Sequence, residues 1–445
     1  MIEALLVSKY ASLASVVAGE ADAYCAEAAR HNEATILTSD SDLVVHDLGN
    51  AGKVILFRDI ESVHLASKGR CIKVTEYHPK GIAERLGLQD LVELAYFMNE
   101  DHHRSFTETC RLAKSQQPTN PDWLAFKELY GALPIHSAFA TLILEQSDSP
   151  LVQVFSKLDP RISELIHELK PPSLGTSQND GSQSRTLDMY LPFMIDDPTK
   201  TSAWRAGEEI RQIGYTVLQS IDPTVAMVQE YERKGTRIAE TAVRISTSDE
   251  VAAAAQALGS KIETCLQNSG VLSSEALWRH VAMILLLEWS IRNGKPLPTQ
   301  HETTSLVLSP RTAPLTWRAI HASAQMHSIL YSLRMVKQLI GVTHALDPTS
   351  LKSVGVESLR VTLEQLPGLA AMLEGGAESD ASDEAKAFLN ESVAGFYSRS
   401  DGGSDDGRKR KKRRKNQKDG ADVEKKTPSG SASKWASGNV FAALG

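Results

Sequence analysis

The chain has 445 residues, 42% apolar and 23% charged, enough for two or three units that each bury a core. Its cysteines, Cys25, Cys71, Cys110 and Cys265, form no C-x-x-C pair, which excludes a zinc finger, a dithiol redox centre and a dense disulfide framework and fits a reducing intracellular compartment. The net charge of −7 conceals an asymmetry: residues 401–445 hold 12 Lys and Arg against 6 Asp and Glu, leaving 36 against 49 in the first 400.

Along the chain, Ile2–Tyr10 reads as a helix and Ala14–Val17 as a short strand. A helix over Glu20–His31 and a strand over Thr35–Thr38 follow. Val54–Phe57 and Cys71–Tyr77 read as strands, and Gly81–Leu86 and Asp90–Met98 as helices. Alternation of this kind predicts an α/β layer with parallel strands over residues 1–115. From 116 to about 370 the signals are helical. A loop occupies 170–185, and Trp204, Ile210, Ile213, Val217 and Leu218 recur at helical spacing. Thr247-Ser-Asp-Glu250 is a capping box, and a helix over Ser274–Asn293 ends with Gly294 at its C′ position. Lys234-Gly-Thr-Arg237 reads as a charged turn at a helix end, and Leu315–Ile340 as another long helix. From 376 the composition turns to Gly, Ser, Asp and Lys, which predicts a disordered tail. The longest apolar run, Val281–Leu287, falls far short of the roughly 18 residues of a membrane span, and Met1–Val7 lacks the marks of a signal peptide.

Residues 16–48 concentrate acids. Glu20 and Asp22 lie where one strand gives way to a helix, and Asp40 and Asp42 lie just past a second strand. With extended backbone, residues two apart project the same way, so each pair would aim at one point beyond the strand ends. Converging carboxylates repel and their pKa values rise unless a cation intervenes, and a hard divalent ion with oxygen ligands meets that need. Read blandly, the first pair decorates a helix start and the second a polar turn.

Gly19-Glu-Ala-Asp-Ala-Tyr-Cys25 followed by Ile36-Leu-Thr-Ser-Asp-Ser-Asp-Leu43 resembles the internal motif of the flap endonuclease/XPG-type nucleases. Those are PIN-like α/β proteins that cut branched DNA with two metal ions. Leu187-Asp-Met-Tyr-Leu-Pro-Phe-Met-Ile-Asp-Asp-Pro198, Thr201-Ser-Ala-Trp204 and the ending Gly438–Gly445 resemble the fungal form of the Asteroid branch. The resemblance implies a partial PIN-like parallel sheet at 1–115, a mainly α-helical Asteroid-specific region at 116–375 and a disordered basic tail at 376–445. It places Glu20, Asp22, Asp40 and Asp42 at the catalytic metal site, and Asp101 at the Asp of a Gly-Ser-Asp-Tyr motif that also serves the metals. It implies Mg²⁺ or Mn²⁺ as cofactor, two ions about 4 Å apart in a complete site.

Two departures bear on activity. The family opens with a region carrying two further metal-site aspartates, for which there is no room before Ile2. This predicts either a fragment or truncated gene model, or a protein that has lost half of its site. The glycine-rich hairpin that clasps duplex DNA is replaced by His102-His-Arg-Ser-Phe-Thr-Glu108. The expected function is therefore metal-dependent hydrolysis of nucleic-acid phosphodiester bonds, weak or absent in this form. The alternative is a non-catalytic nuclear scaffold or an RNA-binding regulator on a degenerate PIN-like fold. The run Arg408, Lys409, Arg410, Lys411, Lys412, Arg413, Arg414 and Lys415 reads as a nuclear address and a phosphate-binding patch. Expected partners are nucleic acid, DNA ahead of RNA, and a nuclear import receptor, with no membrane; the oligomeric state is left open.

Overall fold

The computed structural model describes residues 4–5, 8–14, 17, 21–65, 69–130, 150–171, 184–267, 270–310, 315–374 and 382–398. Two compact units emerge, one built on Ala21–Pro134 and one on Ile135–Gly403. The first is α/β and the second mainly α-helical. Of the expected opening helix and strand, only fragments fall within the described residues, with a 3-10 turn over Ala11–Leu13 between them.

The first unit runs α1 (Ala21–Asn32), β1 (Thr35–Thr38), β2 (Lys53–Leu56), β3 (Ile60–Leu65), β4 (Gly69–Val74), α2 (Pro79–Leu86), α3 (Val92–Glu100), α4 (Phe106–Ser115) and α5 (Pro121–Leu129). β1 and β2 pair in parallel from Thr35 opposite Lys53 to Thr38 opposite Leu56. Ala26 and Ala29 of α1, Val54 and Leu56 of β2, and Leu94, Tyr96 and Phe97 of α3 join Trp123 and Phe126 of α5 in one core. Small alanines let α1 lie close, while the Tyr96 ring meets Phe97, Trp123 and Phe126 edge-on. Asn120 starts α5 by accepting the Trp123 N–H at 2.7 Å. The strand expected over Cys71–Tyr77 ends at Val74 and forms an antiparallel hairpin with β3, while Tyr77 bridges back to Val54.

The second unit contains α6 (Pro150–Phe155), α7 (Pro160–His167), β5 (Arg185–Tyr190), α8 (Glu208–Val217), β6 (Val225–Lys234), β7 (Arg237–Arg244), α9 (Ser248–Gln267), α10 (Ser274–Arg292), α11 (Gln300–Leu308), α12 (Trp317–Leu346), α13 (Pro348–Val354), α14 (Glu357–Glu364), α15 (Leu369–Glu374) and α16 (Asp383–Ser398). The capping box forms as expected: Thr247 Oγ1 accepts the Glu250 N–H, and the Glu250 carboxylate accepts the Thr247 N–H at 2.9 Å. α10 stops where Gly294 takes φ +58°, with the Lys295 N–H on the Ser290 carbonyl at 2.8 Å. Trp278, Val281, Leu286, Ile329, Leu330 and Leu333 pack between α10 and α12 with almost no exposure. Each such side chain contributes about 2 kcal/mol through burial.

Within the region expected to be mainly helical, a three-stranded sheet stands, ordered β5-β6-β7, with β5 parallel and β7 antiparallel to β6. The physical reason is visible on β6, whose buried positions include Val225 and Val228 but also Glu230 and Glu232. Two carboxylates stand where alternation calls for apolar residues, so the period of two is broken in sequence. Glu230 is satisfied by Arg211 of α8, bonded to both its oxygens at 2.5 and 2.7 Å, while Glu232 is paired through one oxygen with Arg205 at 2.6 Å. Lys234-Gly-Thr-Arg237 is the turn joining β6 to β7 rather than a helix end, and Gly235 takes φ +68° there. Positions 172–183 of the expected loop, and the tail from 399 on with Arg408–Lys415, lie outside the described residues.

Burial lowers His167, His280 and His327 of the second unit from 6.5 to about 4. Between those values the unfolded chain takes up protons that the folded chain refuses, so stability is lost as pH falls through this window. Glu168, raised to about 7 by burial, works in the opposite direction but is one group against three. Urea unfolding followed by tryptophan fluorescence is expected to show a lower midpoint at pH 5 than at pH 7; an unchanged or higher midpoint contradicts this assignment.

Candidate metal-binding site

The acidic motif sits where β1 ends. The Asp40 N–H bonds Thr38 Oγ1 at 2.9 Å, and the Asp42 N–H bonds Asp40 Oδ1 at 3.0 Å. Ser41 between them is helical (φ −77°, ψ −16°), and Asp42–Val44 forms a single 3-10 turn. The extended run that would line up the two carboxylates therefore does not occur. Leu43, Val44 and Val45 are all buried, and only a turn carries three consecutive apolar side chains inward. Proximity between the acids comes from the Asp40 side chain folding back onto the turn.

The Asp40 carboxylate nevertheless acts on Asp42. Burial raises the Asp42 carboxyl above the usual range, and the negative charge of Asp40 raises it further. Tyr130, just beyond α5, is raised by burial and then by Asp42, Asp40 and Asp22 in that order. Asp22, from the first turn of α1, thus shares one field with the β1 pair. The Cys25 thiol, one helical turn along from Asp22, is raised by burial and by that carboxylate. His46 packs its ring 5.1 Å from the Tyr130 ring, and burial lowers it to about 4 although Asp40 pulls the other way. A protonated Tyr130 and a neutral His46 line the acidic turn, and among the described residues no Lys or Arg pairs with Asp40 or Asp42.

Of the residues the sequence singled out, Asp22, Asp40 and Asp42 come under this common influence. Glu20 lies outside the described residues. Asp101 ends α3 and works locally, with its Oδ1 accepting the His103 N–H at 3.0 Å and its Oδ2 3.9 Å from Arg104. Among the described residues, no three His, Cys, Asp or Glu side chains are grouped to hold a metal ion. The donor chemistry of Asp40 and Asp42 suits a hard cation, because such an ion offsets the burial and the Asp40 charge that raise Asp42. Sequence reasoning missed Tyr130, which fell in the stretch read as the start of the helical region. His46, four residues after Asp42, carried no motif of its own.

A family model described as XPG domain containing matches residues 1–245. Asteroid homolog 1 of Schizosaccharomyces pombe is 24% identical over 312 residues, which cover 64% of this chain and 55% of that protein. The chain thus spans about half the length of the curated relative it matches. No solved structure matches.

Removing the Asp42 charge while keeping its N–H tests the electrostatics. Without divalent ions Asp42→Asn is expected to melt about 2 °C above wild type, because a repelled, partly buried charge is gone. Mg²⁺ is expected to raise the melting temperature of wild type more than that of the variant. Differential scanning calorimetry with and without Mg²⁺ checks both, and equal Mg²⁺ responses count against ion binding at Asp42.

Proposed function

Because the chain belongs to the family of XPG-domain-containing proteins, we propose that it is a relative of the structure-specific nucleases whose acidic turn binds divalent ions and acts on nucleic-acid phosphodiester bonds. The family in general uses divalent metals, and Mg²⁺ or Mn²⁺ is the ion proposed here. The observation that carries this reading is the placement of Asp40 and Asp42 on one turn past β1, where the Asp42 N–H bonds Asp40 Oδ1 at 3.0 Å and, among the described residues, no Lys or Arg pairs with either carboxylate. Asp40 and Asp42 hold the ion, with Asp22 adding to the acidic set and Glu20 proposed on the motif alone. When bound, the ion supplies Lewis acidity toward a water and counter-charge for the leaving oxygen. Tyr130 keeps its proton and is a donor rather than an anion at neutral pH. His46 stays neutral and adds no competing charge to the site.

Cleavage of flap and single-stranded substrates, DNA and RNA, with Mg²⁺ or Mn²⁺ tests the reading. Asp40→Ala/Asp42→Ala is expected to cut at least about tenfold more slowly than wild type. Equal rates sink the claim for these carboxylates.

A second reading, a non-catalytic scaffold or RNA-binding regulator, draws support from Asp101, whose contacts are with its own turn rather than with the acidic pair. It predicts no cleavage by either protein and RNA crosslinking that survives loss of the acids.

The run Arg408–Lys415 supports a nuclear setting on its charge alone: eight consecutive cations suit an import receptor and, in a salt-dependent way, phosphates. Deleting 408–415 from a fluorescently tagged chain is expected to abolish nuclear accumulation; unchanged accumulation rejects the address.

A further inference from the structure

The segment leading from β5 to the 3-10 turn Ala203–Gly207 is built with more care than a connection needs. Asp196 accepts Arg233 Nε at 2.6 Å and Nη2 at 2.7 Å, and also the Ala203 N–H at 2.9 Å. Arg233 further bonds the carbonyls of Asp197, Lys200 and Gly235. Trp204 Nε1 reaches the Pro192 carbonyl at 2.9 Å, and the Leu191 N–H bonds the Tyr231 carbonyl. The backbone from 191 to 203 is thereby pinned at both ends.

What this frame displays is apolar. Phe193 is 84% exposed and Ile195 72%, across from Ile238 of β7 at 70% and Trp317 of α12 at 57%. They wall a cavity of about 460 Å³ whose floor is Trp204 and Tyr231. Single exposed apolar residues are ordinary, but a cluster on a fixed frame around a groove marks a docking surface.

Charge identifies the occupant. The acids that line the groove are already neutralised, Asp196 by Arg233 and Glu232 by Arg205. Arg237 lines the groove and Lys234 stands opposite it across the β6–β7 turn; both are exposed and, among the described residues, pair with no carboxylate. A second copy of the chain docked face to face would set these cations against their own counterparts. The chain's own tail beyond 400 carries a surplus of Lys and Arg and would meet the same repulsion. We propose that this face of the second unit docks an acidic peptide segment of another protein, one that inserts a bulky apolar side chain into the groove and offers a carboxylate to Arg237 and Lys234. This is independent of the acidic turn on β1.

Panning a random-peptide display library on the full chain, with counter-selection on Phe193→Asp/Ile238→Asp, tests it. Both substituted residues are exposed, and an unchanged melting temperature verifies the fold of the variant. Enriched peptides are expected to share a large apolar residue beside Asp or Glu. A synthetic fluorescent peptide of that consensus should lose about tenfold or more in affinity on Phe193→Ala and on Arg237→Glu, and weaken as salt rises. Recovery of neutral or basic peptides overturns the proposal, as does failure to enrich any peptide or indifference of binding to these variants. Two further outcomes reject the foreign partner: tighter peptide binding after deletion of 399–445, which assigns the groove to the tail, or a dimer in sedimentation that Phe193→Asp dissolves.

Discussion

The second unit is organised around one buried charge. Arg211 has no solvent exposure; burial disfavours its charge, and the Glu230 carboxylate more than offsets this and holds its pKa above the usual value. The guanidinium also donates to the Trp204 carbonyl and to Ser332 Oγ, each at 3.0 Å, and Tyr215 donates its hydroxyl to Glu230 at 2.7 Å. One interaction thus ties α8, the central strand β6, the turn before α8 and the long helix α12. Removing either partner would leave an uncompensated charge inside the unit, at a cost of about 3–5 kcal/mol. Gly207 shows how closely these parts approach, since a Cβ there would lie 2.3 Å from Ser332 Oγ.

The same economy of polar groups shapes the neighbourhood of β6. Glu232 and Arg205, then Asp196 and Arg233, continue the pairing outward from the core toward the surface. Asp196 and Arg233 satisfy each other and tie down the segment 191–203, while Phe193 and Ile195 stay largely exposed. Those two side chains are left with no task inside their own unit, and this gives their exposure meaning.

The acidic turn of the first unit obeys the opposite rule. There, among the described residues, no Lys or Arg pairs with Asp40 or Asp42, and a neutral imidazole and a protonated phenol beside them carry no positive charge. A site that stores repulsion in this way is stabilised by whatever brings positive charge, and this is the physical content of reading it as a metal-binding turn.

What the sequence determined by itself was local. The helix over Glu20–His31 and the strand over Thr35–Thr38 could be read from short-range pattern, as could the capping box at Thr247 and the stop at Gly294, because each depends on residues within a turn or two of one another. The identity of the acidic residues was legible in the same way. Only the tertiary structure decided that Asp40 and Asp42 meet through a turn rather than along a strand, because the burial of Leu43, Val44 and Val45 outweighs extension. It alone decided that Tyr130 and His46 line that turn. It also revealed a sheet where helices were expected, because a glutamate in a strand looks solvent-facing until the arginine that satisfies it, nineteen residues away for Arg211 and Glu230, has been brought beside it.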